Sequence, residues 1–283
     1  MENPQTKWRT EYARELAERI AGVEKVEAIV VAGSTARGFA DSYSDLEIAI
    51  FWDVLPDDAG RHRIVEAMGG RFLFAYDGPS REDQLLVDGF QVDLWHIAVS
   101  HQEAMLDGVL EQYHSDPGSL NAMDTVRCCF PLYGEKLVQT WKTRAALYPE
   151  PLVEKIVREH LESFRVDYLA ILAHRKNPTG FYHQLSFLQQ EAFLILLALN
   201  QTYFPTFKWL YESLDRMQRK PENAGARFRG VYDVPYEAAI TDTRNILVEI
   251  LELVEDRLPT LDTAPARRRL GYTRSAHAGP PQP

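Results

Sequence analysis

The chain has 283 residues, 45% apolar and 25% charged, with a formal net charge of −10. This is the balance of a globular protein long enough for two cores. Its acidity argues against gripping long nucleic acid through clustered Lys and Arg, though not against a nucleotide held locally.

The charged start MENPQTKWRTEYAREL does not read as a signal peptide, and the longest apolar run, 192–199, is far short of a membrane span. A cytoplasmic protein with no membrane partner is expected. Cys128 and Cys129 are adjacent, a poor geometry for bridging each other, and no His or Cys lies at ligand spacing. They read as reduced, buried side chains rather than zinc ligands.

Residues 6–20 place Trp8, Tyr12, Leu16 and Ile20 at helical spacing and predict a helix buried on that stripe. Residues 26–32 read as a short β-branched strand. Gly33 and Ser34 interrupt it, with Ser34 as the expected cap of a short helix over 35–39. Turn chemistry over 41–44 leads into a second strand, 46–52. A helix near 61–68 and strands over 71–75, 84–87 and 90–98 follow, the last two joined by the hairpin signal Asp88-Gly89. After residue 102 no further strand is expected. The first half is therefore α+β, a mixed and largely antiparallel sheet with flanking helices.

Beyond Pro151, the stripe Val153, Ile156, Val157, Leu161, Phe164, Tyr168, Ile171 and Leu172 predicts one amphipathic helix, ended by Asn177-Pro178-Thr179-Gly180. An apolar helix over 182–199 and helices near 207–217 and 236–254 complete a bundle. The expected domains are residues 1–148 and 149–260, with a flexible tail over 261–283.

The stretch VVAGSTARGFADSYSDLEIAIF, residues 30–51, carries the chemistry. In a strand, Asp45 and Glu47 project to one face while Leu46 and Ile48 enter the core. Two such carboxylates repel, and a divalent cation removes the conflict. Asp93, in the alternating run Phe90 to His96, is a third acid if its strand lies beside the first. Three carboxylates can hold two metal ions about 3.5–4 Å apart. Upstream, Gly33 lets backbone approach closely, Ser34 adds a donor, and Arg37 is placed to meet a phosphate.

Gly33-Ser34, ten intervening residues, Asp45-Leu46-Glu47 and a later strand acid, Asp93, together resemble the signature of the polymerase-β-like nucleotidyltransferase superfamily. With Arg37-Gly38 and Ser44-Asp45-Leu46-Glu47, the pattern is most similar to its small bacterial members. These are the antibiotic (aminoglycoside) nucleotidyltransferases and the minimal nucleotidyltransferases of toxin–antitoxin pairs. The resemblance is specific over residues 28–52 and looser, by helix order, over the bundle.

It implies a nucleotidyltransferase domain followed by a helical domain, and transfer of a nucleoside monophosphate, usually AMP from ATP, to an acceptor hydroxyl. It implies two Mg²⁺ ions on Asp45, Glu47 and Asp93, and nucleotide contacts from Gly33, Ser34, Arg37 and Ser44. An aminoglycoside-like cation suits an acidic acceptor site. The alternative is adenylylation of a partner protein, against which the size of the bundle counts.

The proton acceptor is open between Asp93 and an acid of the bundle. The Glu position of the kanamycin-type enzymes falls near Ala170, and Asp167 lies one turn away, where a solvent-facing helix acid is the simpler reading. Glu191, on an apolar helix, is a candidate base that needs a partner if buried. Trp95 shares the face of Asp93 and is a candidate acceptor contact. Lys208 starts a helix, where a cation is misplaced unless an anion is near, and is a candidate phosphate contact.

Overall fold

The computed structural model describes residues 3–74 and 82–274. The chain divides into two compact units, Met1–Leu147 and Tyr148–Pro283.

In the first unit, helix α1 (Pro4–Ala21) is opened by Asn3, whose side chain accepts from the Gln5 N–H. There follow β1 (Ala28–Val31), the short α2 (Gly33–Arg37), β2 (Leu46–Trp52), α3 (Asp58–Ala67) and β3 (Gly70–Phe72). Next come β4 (Glu82–Val87), β5 (Phe90–Ala98), α4 (Val99–Leu110), α5 (Pro117–Cys128), β6 (Phe130–Tyr133) and α6 (Glu135–Ala145). The sheet order is β3-β4-β5-β2-β1-β6. Every described pairing is antiparallel except β2 with β5, so the sheet is mixed and largely antiparallel, as the sequence implied. Asp88 and Gly89 both take positive φ, the backbone of a two-residue hairpin turn.

One face of the sheet makes the core beneath α1 and α3, and on the other face Val30, Ala49 and Phe51 are also buried, Phe51 against Trp141 of α6. Ile29 and Val31, Leu46 to Trp52 in alternation, Leu85, Val87, Val92 and Leu94 pack against Ala13, Leu16, Ala17 and Ile20 of α1 and Ile64 and Val65 of α3. Burying one large aliphatic side chain is worth about 1.5–3 kcal/mol, so this period-2 pattern fixes which strand residues face the helices.

The structure corrects several sequence expectations. The buried stripe of α1 is turned: Arg9 is 1% exposed, while Trp8 is 38% exposed. Trp8 and Tyr12 pack edgewise on Phe90 instead. Ser34 does not cap α2; it lies inside the first turn, and Ala32 is the capping residue without a side-chain bond. Strand β6 exists where none was expected. It pairs with β1 at the sheet edge, where Pro131 can lack an N–H, and the register shifts beside Val30. Strand β3 ends at Phe72; Ala75, its expected last residue, lies outside the described residues.

The second unit is helical: α7 (Glu150–Leu161), α8 (Asp167–His174), α9 (Pro178–Leu199), a 3₁₀ turn (Phe207–Trp209), α10 (Leu210–Arg216), α11 (Ala224–Gly230), α12 (Tyr236–Arg257) and α13 (Ala264–Gly271). Helix α9, apolar nearly all round, packs against α7, α8 and α12. The single helix expected over 153–172 is two helices. At the break, Phe164 and Val166 turn inward, Ser163 donates to Glu191 and Arg165 pairs with Asp167. Residues 264–271, expected in a flexible tail, form α13 with Ala266 and Leu270 buried; residues 275–283 lie outside the described residues. No described helix is long and apolar enough to cross a membrane.

Candidate active site

Three neighbouring strands bring Glu47, Glu82 and Asp93 to one face. Because Leu46, Ile48 and Ile50 of β2 face the core, Glu47 must face away from it. The same holds for Asp93 and Trp95 of β5, which flank the core residue Leu94, and for Glu82 and Gln84 of β4. In register, Glu47 stands opposite Asp93, Gln84 opposite Asp93 from the other side, and Glu82 opposite Trp95. Asp45 lies one residue before β2. Asp93 is only 5% exposed and Trp95 is 38% exposed. Trp95 thus shares the acidic face, as its alternation predicted.

Gly33 closes one side of this face. The Ala32 N–H donates to the Glu47 carbonyl at 2.9 Å, which seats the turn after β1 beside Glu47. Gly33 has φ +60, and a Cβ there would collide with the Glu47 carboxylate. Glycine is therefore required twice over, by conformation and by space. Ser34 and Thr35 follow it, buried.

The loop that delivers Asp45 is tied to α1. Arg9 Nε and Nη2 donate to the Ser44 carbonyl at 3.1 and 2.6 Å, and Nη2 donates to the Asp41 carbonyl at 2.9 Å. Asn3 Nδ2 donates to the Ala40 carbonyl at 2.7 Å. Within the loop, the Ser44 hydroxyl accepts from the Asp41 N–H and donates to the Asp41 carboxylate, which also accepts from the Tyr43 N–H. Ser44, expected on the nucleotide, is placed as a turn former. Burial lowers the pKa of Arg9, and the charges of Asp41 and Asp45 oppose that shift.

Arg37, expected on a phosphate, is instead buried in an ion pair with Asp124 of α5, Nε to Oδ2 at 2.7 Å and Nη2 to Oδ2 at 2.6 Å, both side chains 7% exposed. Burial pushes the Asp124 carboxyl up, and Arg37 works against that. Cys128 and Cys129 carry free thiols, each pushed up by burial.

Glu82 is an acid of this face that sequence reasoning missed. Burial first, then the charges of Asp93 and, more weakly, Asp45, push its carboxyl up. The signal was available: a two-residue Asp88-Gly89 turn pairs Val87 with Phe90, and counting back puts Glu82 across from Trp95. Asp93 accepts from Gln91 Nε2 at 3.1 Å. Oxygen donors from Asp45, Glu47 and Asp93 are the type a hard divalent cation takes, and the strand register puts two of them opposite each other. Among the described residues, no three acids, His or Cys are drawn together closely enough to hold an ion as they stand. Glu47 leans on Gly33, and Asp93 on Gln91.

The opposite face holds a second charged group. Arg61 of α3 grips Asp83 with two nitrogens, Nε at 2.9 Å, and His96 Nε2 meets the same carboxylate at 2.9 Å, all three buried. His96 is thus held on that side through Nε2, while its buried Nδ1 has no hydrogen-bond partner among the described residues.

In the second unit, Asp167 is neither solvent-facing nor free: its side chain is 1% exposed and accepts from Arg165 Nε and Nη2 at 2.7 and 2.8 Å. That pairing holds its carboxyl below the usual range, against burial, which makes it a weaker base. Glu191 has the partners that burial demands, His160 Nδ1 at 3.0 Å and the Ser163 hydroxyl at 2.8 Å. Lys208 lies in the 3₁₀ turn rather than at an α-helix start, with Nζ 5.4 Å from the Trp209 ring centre.

No family model matches the chain, and no curated protein matches it. Among solved structures it is similar to the crystal structure of a nucleotidyltransferase-like protein from Exiguobacterium sibiricum 255-15, at 10% identity and a TM-score of 0.41, over 88% of this chain and 77% of that one. A likeness of that size decides nothing about activity.

Proposed function

We propose that the protein is a metal-dependent nucleotidyltransferase. An acceptor hydroxyl attacks the α-phosphate of a nucleoside triphosphate, ATP by preference, and pyrophosphate leaves. The new bond joins the acceptor oxygen to phosphorus as the bond to the bridging β-phosphate oxygen breaks. The acceptor proton passes to a carboxylate.

One observation carries this reading: Glu47 and Asp93 face each other in register, with Gly33 tucked beneath the Glu47 carboxylate. A row of acids alone would repel a triphosphate. Beside a glycine turn, where backbone can approach phosphate oxygens, it makes sense as a place for a nucleotide and its cation. Asp45, Glu47 and Asp93 would hold Mg²⁺, which when bound neutralises the phosphates and lowers the pKa of a bound hydroxyl.

The chain's own groups do the rest. Gly33 and Ser34 orient the β- and γ-phosphates through their N–H groups. Asp93, held by Gln91, takes the proton. The exposed Trp95 and the half-buried Glu82 face the acceptor, and that pair suits a cationic, aminoglycoside-like molecule better than an anionic one. Positioning and electrostatics supply most of the rate.

The test is pyrophosphate release from Mg²⁺-ATP in the presence of an acceptor panel (aminoglycosides, lincosamides and co-purified proteins), with labelled AMP followed to its acceptor. Asp45→Asn is expected to abolish release while leaving the circular dichroism spectrum unchanged. Wild-type turnover in that variant refutes the reading.

A further inference from the structure

We infer that Arg9 is a positioning residue for Asp45, acting through the loop backbone rather than on the nucleotide. The inference rests on the metal reading above and deepens it.

Arg9 is almost fully buried, yet every hydrogen bond described for it is to a neutral acceptor: the carbonyls of Gln5, Asp41 and Ser44 and the Gln5 side chain. A buried guanidinium ordinarily takes a carboxylate, because removing a charge from water is costly. Here α1 uses one to gather two carbonyls of the segment that ends at Asp45. The Trp8 ring stacks over the group, 4.2 Å from Cζ to the ring centre, and Phe90 of β5 lies 5.4 Å away. The fork therefore joins α1, the 41–44 loop and the start of β5.

Asp45 itself lies just outside β2, so the ladder that fixes Glu47 does not hold it. Its position is set by the peptide before it, whose carbonyl oxygen, that of Ser44, takes two of the Arg9 bonds. Asp45 also lies within the field of the guanidinium. A rigid planar fork can reach Asp41 and Ser44 at once; an ammonium on a flexible stem cannot reproduce that geometry.

The measurement is Mn²⁺ binding to nucleotide-free protein by electron paramagnetic resonance, with amide exchange of residues 41–45 in the metal-free protein as a second readout. Arg9→Lys keeps the charge and removes the fork. Gln5→Ala keeps Arg9 and removes a side-chain acceptor shared by Arg9 and Trp8, and because Gln5 is only partly buried this variant is expected to fold even where the buried change does not. Arg9→Lys is expected to weaken Mn²⁺ binding about tenfold, the usual range for a supporting shell, and to speed exchange at 41–45. Gln5→Ala moves both readouts the same way by less. Asp45→Asn is the control. If it binds Mn²⁺ as the wild type does, the metal reading fails. If it loses Mn²⁺ while Gln5→Ala and any folded Arg9→Lys bind normally with unchanged exchange, the role of Arg9 is overturned.

Discussion

Glu47 stands directly opposite Asp93 across β2 and β5, the parallel pair of a sheet otherwise antiparallel among the described strands. Both are flanked by core residues, Leu46 and Ile48 on one strand and Val92 and Leu94 on the other. A slip of one residue in either strand would drive a carboxylate into the core, so hydrophobic burial enforces the acid register. Asp93→Asn is expected to keep the fold and lower pyrophosphate release at least about 10²-fold, the ordinary contribution of a positioned base. Steady-state release against a melting curve separates the two effects.

Gly33→Ala tests the turn beneath Glu47. The side chain must take φ +60 and displace the Glu47 carboxylate. Strain of this kind costs about 1–3 kcal/mol, read as a lower urea midpoint. Activity should fall further than the folded fraction does, because the displaced group is Glu47.

Arg37→Met leaves Asp124 buried without its cation. Breaking such a pair costs about 3–5 kcal/mol. The KM for ATP should hold at the wild-type value in whatever fraction folds. A large rise in KM with little loss of stability would return Arg37 to the phosphates.

The Arg61–Asp83–His96 group gives a pH signature. Burial raises the Asp83 carboxyl, but hydrogen bonds from His96 and Arg61 outweigh it and hold the group below the ordinary range. The folded pKa is thus lower than the unfolded one, about 3.9. The stabilisation is present above that pH and lost as pH falls through the folded value. Asp83→Asn should be less stable than wild type at pH 7, and the gap should begin to narrow only below the unfolded value of about 3.9, as followed by urea denaturation from pH 7 into acid below that value.

Glu82 runs the opposite way. Its carboxyl is raised, so its charge costs the metal-free fold stability at neutral pH. Glu82→Gln should melt higher than wild type in chelator at pH 7. The advantage should vanish below about pH 4.3, the unfolded value.

The legible parts of the sequence were those where one force acts alone. A short apolar run gave β2, alternation gave β5, Asp88-Gly89 gave its hairpin with β4, and continuous apolarity gave α9. Glu47 and Asp93 were readable for the same reason, since core residues on either side dictate where they point. The buried Arg9 was not readable, because its acceptors are carbonyls and backbone leaves no mark in sequence. Strand β6 was hidden by Pro131, which an edge position tolerates. The break between α7 and α8 was hidden because Leu161, Phe164 and Tyr168 keep a helical rhythm through it. Asp167 and Glu191 looked available only until Arg165, His160 and Ser163 were placed beside them.

The parallel β2–β5 pairing also sets when the acids can meet. Parallel neighbours cannot be joined by a tight turn, so α3, β3 and β4 are all made between Glu47 and Asp93. A ribosome releases Asp45 and Glu47 well before their counterpart exists, and closing the long excursion is a late, entropically opposed event. A half-made chain therefore carries the first two acids without the third, and under the proposed function nucleotidyl transfer has to wait for the finished sheet.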